Sequence, residues 1–369
     1  MRIGIDYRPV TAVPYSGIAR QVLALEAAIT ARENVSLFRY TACPLDHAHR
    51  QTAVCPAWVS PVNGLHRPAE RWKFEMKFLP DAIRAEQLDI YIATANTGLP
   101  VLRTPRPTRY ILLLHDLFQI TIQNHHATRF KALAYRMIDW LSISRSVAFA
   151  DSIWTPSQFT ANEVARLFPG TQRRTAVLPN AVPYRTAVKG TALPATVEAR
   201  YWLIVGTREP RKNIPWFVEI WRQARLLDQH IPQLVIVGAP TDLPSHLRQL
   251  PGLLFITGIT DDEMLVLYAH AERLWQPSRA EGFGLPVVEA LSQGTPVAVA
   301  TGSALDEVAP PSAPRFSPDD GMGLLHLMQH LAKSVSSEGR DSYGAWVEKY
   351  AMPQYTSQVW SLIDKMFHA

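Results

Sequence analysis

Cysteine is scarce: Cys43 and Cys55 are the only two in 369 residues. A dense disulfide framework is therefore excluded. The pair could be bridged, but nothing in the sequence suggests export, so reduced thiols are expected. Long apolar runs are also missing. His115-Asp116 interrupts the longest candidate, and no stretch of 18 apolar residues is available to span a bilayer. The first residues, MRIGIDYRPV, enter a strand at once and carry no signal-peptide core. The expectation is a cytoplasmic protein. Arginine-rich runs, zinc-finger spacings and RNP-like motifs are absent. A net charge of +5 and a pI of about 9.2 are too mild to argue for nucleic acid, but they suit anionic ligands or an anionic membrane surface.

Familiar phosphate signatures are incomplete too. There is no Gly-x4-Gly-Lys-[Ser/Thr] loop, and the turn Gly282-Phe283-Gly284 lacks the third glycine of a dinucleotide fingerprint. No two aspartates stand two apart, so a metal-chelating Asp-x-Asp pair is missing. Asp261-Asp262 and Asp319-Asp320 sit at expected helix starts and read as caps. No essential metal and no cofactor is expected.

What is present is a globular composition, 47% hydrophobic and 19% charged, on a chain long enough for two domains. Residues 2–5 form an apolar strand. A loop with Pro9, Pro14 and Gly17 follows, then helical spacing from Ile18 to Thr30. Further strands are expected at Val35–Tyr40, Ile90–Ala93, Arg109–Leu114, Asp151–Thr155 and Thr175–Leu178. Ala69–Ala85 reads as a helix with a kink or break at Pro80. Its mixture of basic and aromatic residues fits a helix lying on an anionic membrane, or a core-facing helix with solvated charges. His115-Asp116 falls at a strand end, where open parallel sheets bind ligands.

The pattern then restarts. Strands are expected at Tyr201–Val205, Leu234–Val237, Leu253–Ile256, Arg273–Gln276 and Val297–Ala300. Thr260 and Glu263 have the spacing of a capping box. Two successive strand–loop–helix series predict an α/β chain of two Rossmann-like domains, residues 1–185 and 200–352, joined by a linker at 186–199.

The most informative stretch is Pro277–Gly294, PSRAEGFGLPVVEALSQG. It reads as a glycine turn that opens a helix, with Pro286 in the first turn and Gly294 just past the end. Unpaired N–H groups at Gly284 and Leu285 favour an anion there. Arg208 and Lys212, in a loop after another strand, face the same sheet edge and add two cations suited to a diphosphate. The carboxylates Glu281 and Glu289 fit a ligand whose sugar hydroxyls need acceptors.

These residues resemble the E-x7-E motif of retaining glycosyltransferases with the GT-B fold, most closely glycosyltransferase family 4. Gly206-Thr207-Arg208 through Lys212-Asn213 is similar to that family's G-x-R-x3-K-N loop, and Gly294-Thr295-Pro296-Val297 to its G-x-P-V strand entry. Ser303–Val308 and Ser16–Arg20 also resemble family segments. The first loop has one glycine, Gly17, where many relatives carry two, and Asn180-Ala181-Val182 replaces Asn-Gly-Val.

The resemblance implies two Rossmann-like α/β/α domains facing a central cleft, with the C-terminal helix (353–369) packing back on the first domain. It implies retaining transfer of a sugar from a nucleotide-diphosphate donor, GDP-mannose favoured, to a lipid-linked or polysaccharide acceptor. Arg208 and Lys212 would hold the leaving diphosphate and Glu281 the donor sugar. Glu289 would take the ribose hydroxyls. Gly206 belongs to the phosphate loop; Gly282, Phe283, Gly284 and Leu285 would approach phosphate and sugar by backbone; and Ile259 would read the base. Gly17 would let the first loop approach the donor, and His115 would face the sugar. Open alternatives are a nucleotide-sugar hydrolase or epimerase on the same fold, or a non-catalytic partner subunit. Expected partners are the donor, a glycan or lipid-linked glycan acceptor and, peripherally, the anionic inner face of a membrane.

Overall fold

The computed structural model describes residues 1–14, 16–45, 52–58, 68–101, 103, 107–122, 129–183, 185, 191–333 and 343–368. The chain divides into two compact units, Met1–Ala181 with Met352–Ala369, and Val182–Ala351.

The first unit holds a parallel sheet of β1 (Arg2–Asp6), β2 (Ser36–Tyr40), β3 (Ala53–Val54), β4 (Ile90–Ala93), β5 (Arg109–Leu113), β6 (Ser152–Thr155) and β7 (Thr175–Val177), in the order β3-β2-β1-β4-β5-β6-β7. The second holds β8 (Tyr201–Val205), β9 (Gln233–Val237), β10 (Leu253–Ile256), β11 (Arg273–Gln276), β12 (Val297–Ala300) and β13 (Arg315–Phe316), in the order β10-β9-β8-β11-β12-β13. Each sheet starts at its centre, runs to one edge, then crosses back and runs to the other. That reversal leaves a crevice at the carboxyl ends of β1 and β4 in one sheet, and of β8 and β11 in the other.

Continuous apolar runs make the central strands, because helices cover both faces of the sheet. Along the helix Ile214–Leu227, Phe217, Val218, Trp221 and Ala224 form a buried stripe on one face of the second sheet. Trp275 of β11 lies 4.9 Å from Trp202 of β8 and 5.3 Å from Phe217, ring centroid to centroid. On the opposite face, Leu203 and Leu274 pack with Val287, Val288 and Leu291 of the helix Leu285–Ser292. That helix ends as its sequence suggests. Gly294 has φ +80°, its N–H bonds Leu291 O at 3.0 Å, and the N–H of Thr295 bonds Ala290 O at 3.0 Å, a Schellman closure.

The C-terminal helix Met352–His368 belongs to the first unit. Tyr355, Val359, Trp360 and Ile363 pack with Val22, Leu25, Ala28 and Ile29, and Trp360 Nε1 donates to Ala28 O at 3.0 Å.

Several expectations change. The helix at 68–85 is interrupted before Pro80 rather than at it. A π-turn occupies Phe74–Phe78, and the N–H of Leu79 bonds Phe74 O, five residues back. The extra residue falls in the turn preceding a proline that cannot donate, which is where helical registers shift most cheaply. Gly17 is the first residue of the helix Gly17–Thr30, capped by the Ser16 side chain, rather than part of a loop, and Pro9 lies inside a short helix, Arg8–Ala12. Within the expected linker, 186–190 lie outside the described residues. The remainder is fastened to the second unit: Leu193 and Val197 pack on its core, and Gln233 accepts from Glu198 N and donates to Thr196 O. Cys43 and Cys55 are free thiols.

Candidate functional site

The loops after β8 and β11 meet at the crevice of the second sheet. After β8 the chain passes Gly206 at φ +85°, makes a 3-10 turn at Pro210–Lys212, and enters the next helix through Asn213 at φ +58°. Asparagine tolerates that left-handed conformation, and Asn213 Nδ2 is anchored on Pro318 O at 3.1 Å. The turn folds Lys212 back over Gly206, so that its Nζ donates to Val205 O at 3.1 Å. A methyl group on Gly206 would stand 2.7 Å from that ammonium. Gly206→Ala should therefore displace Lys212 and strain the loop. Expected is a loss of turnover with a destabilisation of about 1–3 kcal/mol. Kinetics and a melting curve check it, and unchanged kinetics would remove Lys212 from the site.

After β11, Glu281 is buried and almost fully engaged. Its Oε1 accepts from Gln276 Nε2 at 3.0 Å and Ser278 Oγ at 2.9 Å, and its Oε2 faces Arg211 Nη1 at 2.7 Å. Burial alone raises a carboxyl, yet Arg211 and Lys212 outweigh it and hold Glu281 below its usual range. Arg211 was not singled out in the sequence. The signal was available in principle: a buried carboxylate needs a cation, and the Arg208–Lys212 loop offers one more than the diphosphate reading used.

Gly284 has φ +101° at the start of the helix Leu285–Ser292, and a side chain there would meet Leu305 Cδ2 at 2.6 Å. The glycine turn thus brings backbone close to the Leu305–Val308 helix, and Ala304 N donates to Glu281 O at 3.2 Å. The ring of Phe283 points inward, packed edge-on against Tyr350 with ring centroids 5.3 Å apart. Arg208 is exposed and makes no hydrogen bond or ion pair among the described residues.

The structure therefore brings Gly206, Lys212, Glu281 and Gly282–Leu285 together beside the exposed Arg208. Glu289 is half-buried farther along the same helix, where its Oε2 accepts from Tyr268 OH at 2.8 Å. Ile259 packs against the core between Gly258, at φ +69°, and the Thr260–Glu263 capping box. Among the described residues, no three His, Cys, Asp or Glu gather as a metal cluster.

Gly17 and His115 lie in the first unit. His115 follows β5, buried, with its Nε2 at 2.9 Å from Thr94 O and its backbone N–H on Asn96 Oδ1 at 2.8 Å. A carbonyl partner requires the proton on Nε2, and burial lowers the pKa, so the ring is neutral with Nδ1 as acceptor. The unit also contains a buried ion group that sequence patterns did not reveal. Arg8 pairs with Asp6 through two bonds, at 2.9 and 2.7 Å, and lies 3.5 Å from Glu75.

Both units are similar to known proteins. The description "Glycosyl transferases group 1" matches residues 199–325, and "Glycosyltransferase Family 4" matches residues 15–185. The chain is 27% identical over 241 residues to O-antigen chain mannosyltransferase B of Escherichia coli, covering 61% of this chain and 62% of that protein. It is 27% identical over 269 residues to O-antigen chain mannosyltransferase RfbU of Salmonella typhimurium, covering 70% and 69%. In structure it resembles sucrose-phosphate synthase from Thermosynechococcus elongatus, with a TM-score of 0.71 at 18% identity over 100% of this chain and 99% of that one. The two parallel α/β units are those of the GT-B fold, and the chain belongs to the family 4 glycosyltransferases.

Proposed function

We propose that the protein transfers mannose from a GDP-linked donor to a glycan or lipid-linked glycan, retaining the anomeric configuration and using no metal. The observation that carries this reading is the placement of Lys212 and the exposed Arg208 beside a glycine-opened helix at the β8/β11 crevice. Cations and helix-end N–H groups there suit a diphosphate, and charge-assisted bonds of this kind are worth roughly 1.5–3 kcal/mol each. Mannose is preferred because the two relatives above are named mannosyltransferases.

In this reading the bond from the anomeric carbon to the diphosphate oxygen breaks as the acceptor hydroxyl attacks from the same face. The electron pair leaves with the diphosphate, whose charge Arg208 and Lys212 stabilise, and the departing phosphate oxygen takes the hydroxyl proton. Glu281 sits at the sugar and Glu289 at the ribose. A thermal-shift comparison of GDP, UDP and dTDP tests the donor assignment. Ligand at 100 times its Kd adds about 2.7 kcal/mol. GDP should give the largest shift. No shift with any nucleotide would contradict the reading and favour a non-catalytic subunit. Rapid consumption of GDP-mannose without acceptor would instead indicate a hydrolase.

No helix among the described residues is long and apolar enough to cross a membrane. The proposed location is the cytoplasmic side, with peripheral membrane contact. Support comes from the helix Arg129–Phe149, which exposes Leu133, Met137 and Leu141 one turn apart, more than from the helix at 68–85, which exposes Trp72 and Met76. Met137→Glu with Leu141→Glu should abolish co-sedimentation with phosphatidylglycerol vesicles. Equal sedimentation of wild type and variant would contradict it.

A further inference from the structure

We infer that Arg211 is a positioning residue: its guanidinium fixes the Glu281 carboxylate and fastens the loop after β8 to the loop after β11. The inference rests on the diphosphate-sugar reading for its catalytic consequence, but its structural core does not depend on it.

Arg211 bonds both across and within these loops. Nη1 contacts Glu281 Oε2 at 2.7 Å and Ala280 O at 2.7 Å. Nε donates to Glu209 Oε2 at 2.6 Å, and the backbone O accepts from Arg279 N at 2.8 Å. The planar fork of arginine lets one side chain hold two carboxylates in fixed directions, which a lysine cannot reproduce. The Arg211 side chain is 15% exposed and that of Glu281 10%, so water screens the contact weakly.

Lys212 and Arg211 are neighbours with divided work. Lys212 turns back over Gly206 toward the crevice, whereas Arg211 turns across to the β11 loop. The ionised or polar groups facing Glu281 are Arg211, Lys212, Gln276 and Ser278, with Glu209 acting through Arg211. Of these, Arg211 is the cation in direct contact. Without it, burial of Glu281 would be opposed only by Lys212 and two neutral donors.

The test is the ionisation of Glu281 in Arg211→Gln and Arg211→Lys, read by carbon-13 NMR of glutamate carboxyls in the full chain and, separately, by the pH profile of kcat. Loss of the adjacent cation removes the strongest influence holding the Glu281 carboxyl below its usual range. Glu281 should therefore titrate at higher pH in Arg211→Gln, and the acid limb of kcat should move up with it. Arg211→Lys should restore part of the shift, and also serves if the glutamine variant folds poorly. An unchanged Glu281 titration in both variants would overturn the inference. A shifted titration in a protein that binds no nucleotide sugar would uphold the positioning role and overturn the proposed function, so the two failures are distinguishable.

Discussion

Lys212→Ala lowers turnover by about 10²–10³-fold, the loss typical of one transition-state donor removed from a preorganised site, and Arg208→Ala does the same. The two residues reach this role differently. Lys212 is held by Val205 O and by the absence of a side chain on Gly206. Arg208 is exposed, with no protein partner to lose among the described residues. Arg208→Ala should therefore leave the melting temperature unchanged while activity falls. Because leaving-group charge grows along the reaction, the effect should appear in kcat as well as in kcat/KM. Steady-state kinetics with GDP-mannose check this, and near-normal turnover in both variants would sink the diphosphate assignment.

The second large effect is on stability. Glu281→Ala removes one of the two carboxylates that hold the half-buried Arg211 guanidinium, which keeps Glu209, and takes the acceptor of Ser278 Oγ away. Breaking a buried pair from one side costs about 3–5 kcal/mol, and because Glu209 stays on Arg211 the expected loss is at or below the lower end of that range. The fluorescence of Trp202, Trp221 and Trp275, all buried in the second unit, reports the relevant denaturant transition. Removing both charges together, Glu281→Leu with Arg211→Met, should recover most of the stability, since apolar groups of similar volume replace such pairs at little cost. Turnover should stay lost. The sign with pH follows from the lowered Glu281 pKa. The contribution of the pair is fully present above the unfolded carboxyl value of about 4.3. It is lost as pH falls through the lower folded value. Wild-type stability near neutrality is therefore insensitive to this group. Glu281→Ala with wild-type stability would show that the pair does not support the fold.

Much of this architecture is written locally. The run YWLIV makes β8 because both of its faces are covered, and the Thr260–Glu263 spacing makes its capping box through contacts three residues apart. Gly206, Gly284 and Gly294 mark turns with positive φ. What escaped the sequence depends on distance along the chain. The Arg211–Glu281 pair joins residues 70 apart. The Asp6–Arg8–Glu75 group spans three elements, β1, the helix Arg8–Ala12 and the π-turn Phe74–Phe78. The edge strands β3 and β13 are two residues each, too short for any periodicity. The ring of Phe283 is a further contact distant along the chain: it is a core residue set edge-on against Tyr350, which leaves the backbone of the glycine turn as the part that can face a ligand.

The central claim is that the β8 and β11 loops hold a diphosphate. Calorimetric titration with GDP and GMP, on the wild type and on the Arg208→Ala/Lys212→Ala double variant, tests it most directly. The wild type should bind GDP more tightly than GMP, and the double variant should lose most of that difference while keeping its affinity for GMP. Equal affinities for GDP and GMP in the wild type, or a GDP preference unchanged in the double variant, would contradict the assignment.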